Sequence, residues 1–316
     1  MSKRRSRGRD VDGVLVLDKP PGLTSSRATQ QAKKLFGAKK VGHTGSLDPL
    51  ATGVLPLCFG AATKFSQFLF QADKRYVVDA VLGIATDSGD ADGTVIGESS
   101  YSHVTAEKIE TVLVDYQGNI QQIPSMFSAV KQNGQPLYKL AHQGKEVPRE
   151  PRPVTIHENK LECFEGDRFR LNIHCSKGTY IRTLVADIGE QLGSGAHVVA
   201  LRRTQAGPYD DSGAITMEQI EEAREEQRID ELLLPTASTV EGWPTIFVRG
   251  GMAYNIRHGQ AVRVNNAPTE GWVKVCEIVD NAPTKFLGVG EILEDGRVAP
   301  RRIMNQLFLE ENDNID

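Results

Sequence analysis

Asp48 is the residue of this chain whose setting most suggests chemistry. It lies in Gly42-His43-Thr44-Gly45-Ser46-Leu47-Asp48-Pro49-Leu50-Ala51-Thr52-Gly53, the only acid in a stretch with three glycines, a proline and two threonines. That composition cannot form the interior of a helix or a central strand, so the stretch reads as a loop. The apolar run Val54-Leu55-Pro56-Leu57-Cys58 that follows reads as a buried strand. Pro49 fixes the backbone beside Asp48, which makes a carboxylate held in one place. On local chemistry alone the same residues make an ordinary Asp-Pro turn.

Four other residues stand in telling positions. Tyr76 falls in Lys74-Arg-Tyr-Val-Val-Asp-Ala-Val-Leu82, whose alternation predicts a strand with Tyr76, Val78 and Ala80 on one side. Taken alone it is a core or edge aromatic, although a tyrosine facing a nucleotide pocket can stack on a base and exchange a proton. Tyr180 and Arg182 lie in Ser176-Lys177-Gly178-Thr179-Tyr180-Ile181-Arg182-Thr183, where a strand turns into a helix. An arginine in a first helical turn meets an unfavourable dipole, so a carboxylate partner is expected; without one, Arg182 reads as a surface cation. Leu201, before Arg202 and Arg203 in the strand 196–203, reads as core.

The whole string Gly42 to Gly53 closely resembles the catalytic motif of the TruB family of tRNA pseudouridine synthases, which carry a nucleophilic aspartate at the position of Asp48. The string around Tyr180 and Arg182 resembles that family's second signature, and Leu201-Arg202-Arg203 its third. Asp18-Lys19-Pro20-Pro21-Gly22 is similar to its first motif, and reads here as a rigid corner. Ser46 stands where the family often has another small residue. The resemblance spans Val14 to about Leu201, thins after Arg203 and leaves out residues 1–10.

What the resemblance implies is isomerisation of uridine 55 in the T loop of tRNA. The N1–C1′ bond breaks, the base turns over, and C5 joins C1′. Nothing is gained or lost, so no cofactor is expected, and the chain shows no dinucleotide fingerprint or P-loop. The target must be extruded from its stack to be reached. A carboxylate suits the reaction, since it can attack or stabilise an electron-poor sugar centre. On this reading Asp48 is the nucleophile, at C1′ or at C6. Arg182 pairs with it and lowers its pKa. Tyr76 and Tyr180 position the base, with Tyr76 a candidate to remove the C5 proton. Leu201 excludes water, and His43 stacks in the gap left by the extruded nucleotide. Two rivals are an RNA-binding or RNA-folding protein without catalysis, and a glycosidic hydrolase, which lacks a second carboxylate supported by a motif.

Composition sets outer bounds. The chain has 316 residues, 39% hydrophobic and 25% charged, with a net charge of −4. Binding RNA therefore requires positive charge gathered on one face. Lys3, Arg4, Arg5, Arg7 and Arg9 form a basic tail, either a solvated end or an electrostatic arm. Cys58, Cys163, Cys175 and Cys276 lie far apart with no metal-ligand spacing, which fits a reduced cytosol. Asp87, Asp90 and Asp92 before Gly93 fail the calcium-loop pattern, because Ser88 and Ser99 stand at ligand positions; a solvated acidic loop is expected, and no metal is assigned. No apolar run is long enough to span a membrane. A cytoplasmic monomer is expected, with tRNA, through its T stem-loop, as partner.

The elements that must position these residues follow from periodicity. A strand over 13–17 leads to a helix capped by Ser25 or Ser26. A helix over 61–70 precedes the Tyr76 strand, and Thr105 caps a helix bearing Ile109, Val112 and Leu113. Residues 125–153 read as a long basic insertion with a little helix, and 169–175 as a strand. Thr216 and Gln219 form a capping box, 235–243 a linker, and residues after 246 short β-runs. The expected fold is α+β, a mixed, mainly antiparallel sheet with flanking helices and a central RNA-binding cleft. The domains expected are a tail over 1–10, a catalytic domain over 11–240, and a β module of PUA type over 246–316.

Overall fold

The computed structural model describes residues 8–128, 130–132, 134–141, 143–279 and 284–304. Of the basic tail, Lys3, Arg4, Arg5 and Arg7 lie outside the described residues. Arg9 is held, its guanidinium paired with Asp230 at 2.5 Å and its Nε donating to the Phe36 carbonyl.

The larger sheet comprises β1 (Gly13–Lys19), β2 (Val41–His43), β3 (Thr52–Phe59), β4 (Lys74–Leu82), β5 (Gly118–Gln122), β6 (Arg152–Glu165), β7 (Arg168–Cys175), β8 (Ala196–Ala206) and β9 (Tyr209–Asp210). Its order is β1-β3-β8-β4-β7-β6-β5, with β2 paired to β3 and β9 to β8. Pairings are antiparallel except β3 with β8, which run parallel through Thr52–Arg202 and Gly53–Arg203. The sheet is mixed and mainly antiparallel, as expected.

The helices are α1 (Ser25–Leu35), α2 (Ser66–Gln71), α3 (Ala106–Asp115), α4 (Leu137–Ala141), α5 (Ile181–Gln191), α6 (Met217–Glu225) and α7 (Gly250–Arg257). Apolar stripes of α1, α3, α5 and α6 cover one face of the large sheet, where Ala28, Ile109, Leu184 and Ile220 meet Tyr76, Val78, Ile173 and Val198. Alternation along β4 drives this, since every second residue from Lys74 to Ala80 is buried.

Several expectations need correction at this level. The cap of α1 is Thr24, whose hydroxyl accepts from the Arg27 N–H; Ser25 is already helical and is turned inward. The helix expected over 61–70 is split into a short 3-10 turn, Gly60–Lys64, and α2, with Phe65 between them fully buried. The stretch 235–243 is no free linker, because Thr236, Thr239 and Val240 are buried. The insertion holds a small hairpin and α4, and its end is already β6, a 14-residue strand that opens at Arg152.

The C-terminal sheet comprises β10 (Thr245–Val248), β11 (Val262–Arg263), β12 (Trp272–Glu277), β13 (Lys285–Ile292) and β14 (Arg297–Ile303), ordered β10-β12-β13-β14-β11. With α7 it encloses its own core of Ile246, Ile256, Val275, Leu287 and Val298, a small β module of PUA type. It joins the larger unit through Phe65, Val240 and Val289, and through Phe68 seated against Trp243 and Trp272.

Candidate active site

The loop carrying Asp48 is fixed from several sides. Thr44 is fully buried, and its N–H donates to the Pro56 carbonyl at 3.2 Å. The Ser25 hydroxyl donates to the Leu47 carbonyl and accepts from the Leu47 N–H, tying the loop to α1. After Asp48 the chain makes a tight turn, closed by the Ala51 N–H to the Asp48 carbonyl at 3.1 Å. The Pro49 carbonyl accepts from the Gly22 N–H at 2.8 Å and from Lys19 Nζ at 3.3 Å. Lys19 is wholly buried and also donates to the Pro20 and Leu23 carbonyls, so the corner expected at 18–22 is a clamp on the Asp48 turn. Burial pushes its pKa down to about 8, against the pull of Asp48.

Gly53 closes the loop. Its φ is +96°, and a Cβ there would stand 2.2 Å from the Arg203 carbonyl, so β3 and β8 can approach only over a glycine. A cleft of about 730 Å³ opens alongside, lined in part by Pro49, Leu50, Thr52, Leu201 and Arg202. Asp48 does not line this cleft; its two successors in the chain do.

Asp48 and Arg182 meet. Arg182 Nε lies 2.9 Å from Asp48 Oδ2. The same guanidinium gives Nη1 to Asp90 Oδ2 at 3.0 Å and to the Ser88 carbonyl at 2.9 Å, and Nη2 to the Phe127 carbonyl at 3.0 Å. Arg182 is only 5% exposed, a correction to its reading as a surface cation. Asp90 is 4% exposed, so in the acidic loop expected to be solvated Asp87 and Asp92 are exposed but Asp90 is turned inward. Sequence reasoning missed Asp90 because an Asp-Ser-Gly-Asp loop looks like many exposed turns.

The Asp48 side chain keeps 40% of its surface open, yet enough protein surrounds it that burial pushes its pKa up. Arg182 draws the pKa down, Asp90 adds a like charge that raises it, and Lys19 lowers it again. Burial prevails. Arg182 lowers the pKa, as expected, and offsets the rise that burial imposes without reversing it.

Tyr76 lies on β4 opposite Arg203 of β8, and Val78 opposite Leu201. Leu201 is 6% and Tyr76 8% exposed. Burial raises the Tyr76 pKa, the charge of Arg203 opposes this, and the Asp48 charge adds to the rise. Tyr180 stands at the N-cap of α5, its backbone gripped by Gln122, which accepts from its N–H at 3.0 Å and donates to its carbonyl at 3.3 Å. His43 is half-buried at the end of β2, with Nδ1 lacking a hydrogen-bond partner among the described residues. Burial, and then the Arg203 charge, push its pKa down, so the ring is neutral at neutral pH. Lys19, Asp90, Gln122 and Arg203 are thus the supporting residues that sequence reading left unassigned.

The chain matches the family description "TruB family pseudouridylate synthase (N terminal domain)" over residues 33–181. It matches "tRNA pseudouridylate synthase B C-terminal domain" over 182–241 and "Pseudouridine synthase II TruB, C-terminal" over 244–304. A tRNA pseudouridine synthase B from Serratia proteamaculans is 48% identical over 98% of this chain and 100% of its own. One from Stutzerimonas stutzeri is 52% identical over 94% and 96%. Among solved structures, a Cbf5-Nop10-Gar1 complex holds a chain with TM-score 0.72 and 26% identity, covering 93% of this chain and 85% of its own. An H/ACA RNP bound to a substrate RNA containing 2′-deoxyuridine holds one with TM-score 0.69 and 25% identity, covering 96% and 91%.

Proposed function

The chain belongs to the TruB family of pseudouridine synthases and has the activity of an isomerase acting on tRNA, and we propose that its target is uridine 55 in the T loop, with Asp48 as nucleophile. The observation that carries this is the Asp48 carboxylate, locked on a clamped turn 2.9 Å from a buried arginine. A carboxylate so placed attacks C1′ or C6 of an extruded uridine as the N1–C1′ bond gives way. Arg182 orients it and balances its charge. Tyr180, anchored by Gln122, and Tyr76 hold the pyrimidine. Leu201 keeps water from the reacting centre, and neutral His43 stacks in the space the nucleotide leaves. Tyr76 is protonated at rest, so in taking the C5 proton it acts as a phenol that has first given up its own.

No cofactor enters this sequence of steps. The functional units are the catalytic region over 11–240 and the RNA-binding β module over 246–316, with the basic tail over 1–10 attracting phosphates. The protein acts as a monomer in the cytoplasm.

The test uses unmodified tRNA carrying tritium at uridine C5, with no added cofactor or metal. Release of tritium to water that is lost on Asp48→Asn, and lost when the T-loop uridine alone is replaced, supports target and nucleophile together. Tight, salt-dependent binding without release overturns the catalytic reading and leaves RNA remodelling in its place.

A further inference from the structure

Arg203 is a cation that the reaction as described so far leaves without a task. It is 1% exposed, in the middle of the large sheet. Its Nε donates to the Val54 carbonyl at 2.7 Å and its Nη2 to the Gly45 carbonyl at 3.2 Å. The third neighbour is Tyr76, directly opposite across the β4–β8 pairing and itself buried, so guanidinium and phenol stand on the same face of the sheet. No carboxylate lies within ion-pairing distance of it among the described residues, in contrast to Arg182 and Arg202, which each pair with two. Burying a guanidinium without an anion is costly. The cost has a chemical return if an anion forms beside it during turnover.

The isomerisation creates that need. Once C5 has joined C1′, the intermediate carries hydrogen on C5 and none on N1, whereas pseudouridine carries N1–H and none on C5. One proton must leave C5 and one must reach N1. We infer that Arg203 is the positioning residue for this exchange, holding the Tyr76 phenol in place and supplying the counter-charge while Tyr76 relays the proton. Tyr76 donates its phenolic proton to N1, which acidifies C5–H, and the phenolate then takes the C5 proton and is a phenol again. Protons and charge balance, and no outside acid or base is consumed. The contacts of Arg203 with Val54 and Gly45 tie the relay to the strand and loop that carry Asp48, so nucleophile and relay share one frame.

This inference rests on the synthase reading and is tested separately from it. Single-turnover pseudouridine formation is measured with tRNA transcripts bearing hydrogen or deuterium at uridine C5, for wild type, Arg203→Gln and Arg203→Lys. Arg203→Gln removes the counter-charge; it is expected to slow the reaction by about 10²-fold with tRNA affinity changed little, and to raise the C5 isotope ratio above the wild-type value. Arg203→Lys keeps a charge and is expected to recover most of the rate, with an intermediate ratio. If Arg203→Gln does not fold, a ratio raised in Arg203→Lys still supports the relay. A ratio equal to wild type in every folded variant, whatever the loss of rate, overturns it and leaves Arg203 a packing residue. A wild-type protein that forms no pseudouridine is a different failure, that of the synthase reading itself.

Discussion

At the scale of single residues, the site is a balance of burial against charge around Asp48. Because burial raises the Asp48 pKa, activity should fall on the acid side with a midpoint above the ordinary 3.8, read from the pH profile of the single-turnover rate. The sign follows from the proposed mechanism, in which the ionised form is the nucleophile: below its pKa the carboxylate is protonated and cannot attack. Asp90→Asn removes a like charge, so this midpoint should move down. The same change takes one anchor from Arg182, and the rate on the plateau should drop by about 10²-fold through misplacement. Asp48 was legible in the sequence because a long ordered string surrounds it. Asp90, Lys19 and Arg203 were not, because each works by a contact that only the folded chain creates. Lys19 reaches Pro49, 30 positions away, and Arg182 reaches Asp90 across 92.

At the scale of elements, the Asp48 turn depends on where strands begin and how closely they pack. Gly53→Ala should abolish activity and lower the melting temperature, since a Cβ at 2.2 Å from a backbone carbonyl must push β3 from β8. Thermal melting and turnover check this together. The clamp is separable from the fold: Lys19→Met should reduce turnover while tRNA still binds, as the Pro49 carbonyl loses one of its two donors. Periodicity foretold β4 to the residue, because buried and partly open positions alternate along it from Lys74 to Ala80. It did not foretell β6, where a bulge between Leu161 and Cys163 interrupts the alternation and the strand opens inside what read as a long basic insertion. The cap of α1 was displaced by one residue because Thr24, Ser25 and Ser26 are all competent caps, and only tertiary contact with Leu47 shows that Ser25 is turned inward.

At the scale of the whole molecule, two sheets are joined by aromatic packing. Phe65 is fully buried between them, with its ring 5.4 Å from that of Phe286. Phe65→Ala should cost about 3–5 kcal/mol. If the two units then melt independently, calorimetry will show two transitions in place of one. With a net charge of −4, affinity for tRNA must come from local positive charge, and should weaken steeply with added salt. The sheet order has a consequence for how the protein is made. β8 lies between β3 and β4, yet it is synthesised more than 110 residues after either ends, and it carries Leu201 and Arg203. A nascent chain that has emerged only as far as α5 holds Asp48, Tyr76 and Arg182 but has an open seam where β8 belongs. Closure must await residue 206, and such long-range insertion is slow. Each newly made molecule therefore passes through a catalytically silent interval on the ribosome, unable to modify tRNA until its central strand has been threaded into place.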